Sequence, residues 1–71
     1  MVNRWDAREA GCGELAVGLH ARLARLEPGA TLGVVVADEG ARRDLFAWCR
    51  MTGHTLVSAE PPCYALRRRE D

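Results

Sequence analysis

The sequence predicts an α/β fold of the α+β kind. It is a two-layer sandwich with a four-stranded mixed sheet and two helices on one face, in the order β-α-β-α-β-β. Three observations predict it. Leu15, Leu19, Leu23 and Leu26 recur at steps of four, four and three, which is one face of a helix. Ala30 to Ala37 is an apolar stretch holding Val34, Val35 and Val36, as expected of a central strand. The last part of the chain carries two short strand-like runs on either side of Pro61-Pro62, which reads as an antiparallel hairpin.

In chain order, Val2 to Ala7 is expected as a short first strand anchored by Val2 and Trp5. A helix follows from about Cys12 to Leu26, with Glu14, Arg22 and Arg25 off its apolar face, and Glu27-Pro28-Gly29 stops it. In the strand from Ala30 to Ala37, Leu32, Val34 and Val36 share a face. Asp38 is the expected N-cap of the second helix, since its short carboxylate accepts N–H bonds from the first turn. That helix runs from about Gly40 to Thr52 on a stripe of Ala41, Leu45, Trp48 and Thr52, with Cys49 on its flank. Gly53 follows as a C′ residue able to take positive φ. His54 to Glu60 and Cys63 to Arg69 are the last two strands, with Tyr64 and Leu66 on one face. Two apolar helix stripes against one sheet face make two layers.

With 71 residues there is room for one domain, spanning 1–71. A hydrophobic fraction of 48% supplies a core without disulfide or metal support. Ten basic and ten acidic residues cancel, which argues against direct nucleic-acid binding or an anionic-membrane surface. Every basic residue is Arg. The longest apolar run, Val34 to Ala37, is far below the roughly 20 residues a spanning helix needs. No signal-peptide core follows Met1, so the expected location is cytoplasmic. An odd set of cysteines, Cys12, Cys49 and Cys63, is then expected as free thiols. His20 and His54 have no zinc-type spacing to them, so neither metal nor cofactor is expected.

Two segments together resemble a known pattern. One is Asp6-Ala7-Arg8-Glu9-Ala10-Gly11-Cys12-Gly13-Glu14-Leu15, a short strand leading to a helix that opens on cysteine. The other is Val34-Val35-Val36-Ala37-Asp38, then Asp44, then Trp48-Cys49-Arg50-Met51-Thr52-Gly53-His54-Thr55-Leu56. This conjunction resembles the TusA/SirA family of small sulfur carriers over about Asp6 to Arg68. The resemblance implies that Cys12 carries sulfur as a persulfide. It also implies a cysteine desulfurase or rhodanese-like donor and a sulfur-acceptor protein as partners. Candidate destinations are tRNA thiolation, cofactor sulfuration and dissimilatory sulfur metabolism. The family's first helix begins Cys-Pro-x-Pro. Here Gly13 and Leu15 stand at the proline positions and Glu14 at the variable one, and Glu9 stands where the family usually has glycine.

Cys12 is expected at the N-cap of the first helix, its sulfur accepting from N–H groups of the first turn, and that place fits the chemistry required of it. Sulfur relay starts from a thiolate, and a helix N-terminus favours one through unpaired N–H groups and the positive end of the helix dipole. Gly13 offers an N–H that proline would lack, while the charge of Glu14 competes for the same dipole. Cys49, beside Trp48 within a helix, reads as core. Cys63 reads as a sheet position or an exposed resolving thiol. The resemblance makes Asp44 a candidate partner contact. Arg67-Arg68-Arg69 reads as a solvated tail or as a contact for an acidic partner or tRNA phosphate. Two other functions stand beside the sulfur carrier. One is a non-catalytic interaction or regulatory module that kept the fold without Cys-Pro-x-Pro chemistry. The other is RNA binding, by likeness of the fold to the C-terminal domain of a bacterial initiation factor, against which the zero net charge weighs.

Overall fold

A computed structural model describes residues 3–70, with Cys12 described by its backbone. Val2, expected in the first strand, lies outside the described residues. The chain runs β1 (Asn3–Asp6), α1 (Cys12–Ala24), β2 (Thr31–Val35), α2 (Ala41–Thr52), β3 (Thr55–Glu60) and β4 (Cys63–Arg67). The strands form one sheet in the order β1-β2-β4-β3. β1 lies parallel to β2, while β4 is antiparallel to both β2 and β3, so the sheet is mixed. Every expected element is present, each within two or three residues of its predicted ends.

The alternation of the strands decides which face is covered. Leu32 and Val34 of β2, Val36 just beyond it, and Tyr64 and Leu66 of β4 are all buried. Their neighbours Gly33, Val35 and Ala65 face the other way and stay half-exposed. The buried row joins Leu19 and Leu23 of α1 and Ala41, Leu45 and Cys49 of α2 in one core cluster. Both helices therefore pack on one face, and the opposite face is open. Burying each leucine contributes on the order of 1.5–3 kcal/mol. Leu15, Leu26 and Leu56, at the ends of α1 and on the edge strand, pack only partly against this core. On α2 Cys49 is buried and Trp48 half-buried, so the stripe is turned one residue from the expected one.

Two helix starts differ from expectation. The N-cap of α1 is Gly11, in extended conformation, and Cys12 is the first helical residue. For α2 the N-cap is Gly40, not Asp38. Asp38 acts one step earlier, where its carboxylate accepts the Gly40 N–H at 2.9 Å and its carbonyl accepts the Ala41 N–H at 3.1 Å. At the other end of α2, Gly53 takes φ 88° and its N–H reaches the Cys49 carbonyl at 2.9 Å, the left-handed stop expected of it.

The basic run after β4 closes both helices. The Arg68 guanidinium donates to the Leu26 carbonyl just past α1. Arg69 donates its side chain to the Thr52 carbonyl at 2.8 Å and its backbone N–H to His54 Nδ1 at 3.0 Å. Cations suit the negative end of a helix dipole. A solvated tail is thus the wrong description of Arg68 and Arg69, which tie the last strand to the C-terminal ends of both helices.

Candidate functional site

The connection from β1 to α1 is ordered by one carboxylate. Asp6 accepts the Arg8 backbone N–H at 3.1 Å, Arg8 Nε at 3.0 Å and Arg8 Nη2 at 2.7 Å. Ala7 is buried and donates to the Val35 carbonyl at 2.8 Å, and Ala10 donates to the Ala7 carbonyl at 3.1 Å. The Arg8 side-chain hydrogen bond, and then its backbone one, hold the Asp6 carboxyl below its usual range. The pair is open to solvent, so its net contribution is small. It still sets the path of the five residues that lead to Cys12.

At the end of that path α1 begins. The Leu15 N–H makes the first helical bond, to the Gly11 carbonyl at 2.8 Å. The N–H groups of Cys12, Gly13 and Glu14 therefore have no acceptor within the helix. Gly13 and Glu14 are exposed. The expected bond from these N–H groups to the Cys12 sulfur lies outside the described atoms. Ala10 and Leu15, on either side of Cys12 in sequence, line a cleft of about 200 Å³ together with Val36, Ala41, Leu45 and Trp48. Asp38 and Asp44 also line it and supply its carboxylates, both solvent-exposed. Asp44 is thus brought to the same cleft as the start of α1.

The other singled-out residues lie elsewhere. Arg68 sits by the C-terminal end of α1, and a 13-residue helix spans roughly 20 Å at 1.5 Å per residue. Arg67 is exposed and pairs with Thr31 and Thr55 across the sheet. Neither belongs to the site around Cys12. Cys49 is buried, and that burial pushes its thiol up to about 11. Cys63 is a free, exposed thiol in the row Asp6–Val35–Cys63–Glu60 across the sheet. It faces the open side, at the sheet end where the loop to α1 begins. Among the described residues no group of three or more His, Cys, Asp or Glu side chains is placed to hold a metal. No helix among them is long and apolar enough to cross a membrane.

Two parts of this site were not read from the sequence. Arg8 clasps Asp6 across only two positions, a pairing that nothing in residue spacing specifies. The cleft needs Ala10, Ala16 and Trp48 from separate elements, which only packing brings together.

Known proteins add a consistent picture. Residues 3–66 match the family described as sulfurtransferase TusA. The sulfur carrier protein TusA of Pseudomonas paraeruginosa is 33% identical over 70 residues, covering 93% of this chain and 89% of that protein. The protein of the same description from Pseudomonas putida is 30% identical, covering 93% and 88%.

Proposed function

Because the chain belongs to the TusA family of sulfur carriers, we propose that it carries sulfur as a persulfide on Cys12. A cysteine desulfurase or rhodanese-like protein donates the sulfur, and an acceptor protein takes it. The observation that carries this reading is the place of Cys12 in the fold. Of the three cysteines it alone opens a helix, at the end of an ordered loop and between two residues that line a cleft. Burial disfavours the Cys49 thiolate and so speaks against it as carrier. Cys63 is exposed but sits in a strand, without a helix terminus to favour its thiolate.

The relay needs two exchanges. In loading, the Cys12 thiolate attacks the terminal sulfur of the donor's persulfide. A new S–S bond forms on Cys12, the donor's S–S bond breaks, and the donor cysteine leaves as thiolate. In delivery, an acceptor nucleophile attacks the outer sulfur, and Cys12 leaves as thiolate. Both steps are helped by whatever stabilises sulfur anion at Cys12. The free N–H groups of Cys12, Gly13 and Glu14 and the positive end of α1 act in that direction, and the Glu14 carboxylate acts against it. Asp44 lines the cleft, which supports it as a contact for a partner that reaches Cys12. With Arg68 committed to Leu26, a further acidic-partner contact falls to Arg67. The relay is assigned to the cytoplasm, where the thiols stay reduced.

One observation favours the alternative of a non-catalytic module: Gly13 and Leu15 replace both prolines of the family's motif. Intact-mass measurement after incubation with a cysteine desulfurase and cysteine separates the two. The carrier gains one sulfur atom, Cys12→Ser does not, and Cys49→Ser and Cys63→Ser still do. If the wild-type chain gains none from desulfurase or rhodanese donors, the binding-module reading replaces this one.

A further inference from the structure

The formal charges cancel over the sequence, but the fold sorts them by sign. Strand register places Asp6, Val35, Cys63 and Glu60 in one row at one end of the sheet. Both helices open at that end, where Ala10 and Leu15 at the start of α1 share a cleft with Asp38, Ala41 and Asp44 at the start of α2. Carboxylates gather there. Asp6 ends β1, Glu9 lies in the loop after it, and Glu60 ends β3. Glu14 is in the first turn of α1 and Asp44 in that of α2, with Asp38 and Glu39 in the loop from β2 to α2. Of the arginines, only Arg8, Arg42 and Arg43 stand at this end. The rest lie at the start of β1, at the C-terminal ends of the helices, and at or beyond the end of β4.

Pairing does not remove the imbalance. Arg8 cancels Asp6 at 2.7 Å. Among the described residues, Glu9, Glu14, Asp38, Glu39, Asp44 and Glu60 then stand against Arg42 and Arg43, an excess of four negative charges. The positive ends of the two helices offset only about half a charge each. Arg42 and Arg43 line the concavity between α2 and β3. In the cleft at the start of α1 the charged lining residues are Asp38 and Asp44. Charge of one sign gathered in this way changes the rate at which charged partners arrive by about 10–10³-fold, and the effect fades over a Debye length of ~8 Å at physiological salt.

We propose that Cys12 exchanges sulfur with proteins that bring a basic surface to this end of the fold, with Lys or Arg side chains flanking their reactive sulfur, and that acidic partners are turned away. The inference rests on the carrier reading of Cys12 and adds the charge of the partner to it. The carboxylates also work against a bare thiolate at Cys12, so cations brought by the partner favour sulfur anion at the moment of docking. A second copy meeting this one Cys12 to Cys12 would set acid against acid, which opposes that approach.

Thiol–disulfide exchange with charged peptides tests the proposal. A Lys-rich and a Glu-rich peptide of otherwise identical sequence each carry their one cysteine as a mixed disulfide with 2-mercaptopyridine. The Cys12 thiolate attacks the peptide sulfur, the new S–S bond forms, and mercaptopyridine leaves, which absorbance follows. The chain carries Cys63→Ser, since Cys63 is an exposed thiol at the same end. Both rates are divided by those of N-acetylcysteinamide, a neutral thiol. The Lys-rich peptide is expected to react at least about tenfold faster than the Glu-rich one, and added salt to collapse the ratio. The triple variant Glu14→Gln/Glu39→Gln/Asp44→Asn should bring the ratio near unity, while Arg50→Gln at the far end leaves it in place. All four substituted side chains are exposed, and far-UV circular dichroism confirms folding; the salt arm needs no substitution among them. The proposal is overturned if the two peptides react alike, if the Glu-rich one is faster, or if the ratio survives in the triple variant. Self-association at low salt that shields Cys12 from both peptides also overturns it, since the arginine end of a second copy is then the cation. Failure of the carrier reading shows in the desulfurase assay and failure of this one in the peptide rates, so the two are told apart.

Discussion

Residue 13 decides where α1 begins. Proline disfavours helical conformation in the residue before it, so a Cys-Pro start makes the cysteine a capping residue. With Gly13 that restraint is gone. Gly11 becomes the cap, and Cys12 enters the helix as its first residue. Gly13→Pro is therefore expected to fold, because position 13 has open space around it and its N–H bonds nothing in the helix. It should push Cys12 back to extended conformation, visible as an upfield move of the Cys12 Cα chemical shift. Leu15→Pro is different, since it removes the Leu15–Gly11 bond and a partly buried side chain. It should lower the urea midpoint clearly while Gly13→Pro changes it little. Equal loss in both would show that α1 does not start at Cys12.

The titrating residues make opposite demands on pH. Cys49 has its folded thiol pushed up to about 11 by burial, while a free thiol titrates near ~8.5. Above that the unfolded chain releases a proton that the fold retains, so stability falls as pH rises through this window. Cys49→Ala should flatten that decline in urea midpoints between about pH 8 and pH 10. A decline that stays the same in the variant would rule Cys49 out as its source. Asp6, with a lowered folded pKa from its Arg8 hydrogen bonds, works the other way. What it contributes is present above about pH 4 and disappears as pH falls through its folded value. Amides from Ala7 to Gly11 should lose protection on acidification in wild type. In Asp6→Asn they should be less protected at neutral pH and insensitive to acid.

At the scale of elements, α1 is seated by a glycine. A Cβ on Gly18 would overlap the six-membered ring of Trp5, falling 2.9 Å from Cζ2. Trp5 lies under the helix there, and Arg22 covers its ring at 4.0 Å, a cation–π contact. Gly18→Ala would gain roughly 1 kcal/mol of helix propensity at an open site. Here it should instead destabilise by about 1–3 kcal/mol through overpacking. A variant as stable as wild type, with unshifted Trp fluorescence, would show that Trp5 does not lie beneath Gly18. The C-terminal ends of the helices depend on Arg68 and Arg69, so the hairpin β3–β4 and the helix layer are joined by side chains of the tail as well as by the core.

For the whole molecule, a core this small makes each large side chain matter. Leu19, Leu23, Leu45 and Leu66 are completely enclosed and draw on both helices and β4. Leu19→Ala or Leu45→Ala should cost about 2–5 kcal/mol, in a fold whose total is at the low end of about 5–15 kcal/mol. Chemical denaturation followed by circular dichroism should find either variant partly unfolded without denaturant. Wild-type midpoints in both would mean that the two helices do not share the core described.

The order of elements and the apolar face of α1 were legible in the residues themselves. Leucine spacing, β-branched runs and the breakers at Pro28, Gly53 and Pro61 are local, and local sterics and hydrogen bonding act on them before any long-range contact forms. Tertiary structure alone decided the rest. It closed the helices with Arg68 and Arg69, gave the Gly18 surface to Trp5, and gathered the cleft at the start of α1 from four separate segments. It also left β3 at the edge with Phe46 beside it. These depend on which residues meet across gaps of tens of positions. Such a meeting is fixed by burying both helices on one sheet face, and no spacing within a single segment records it.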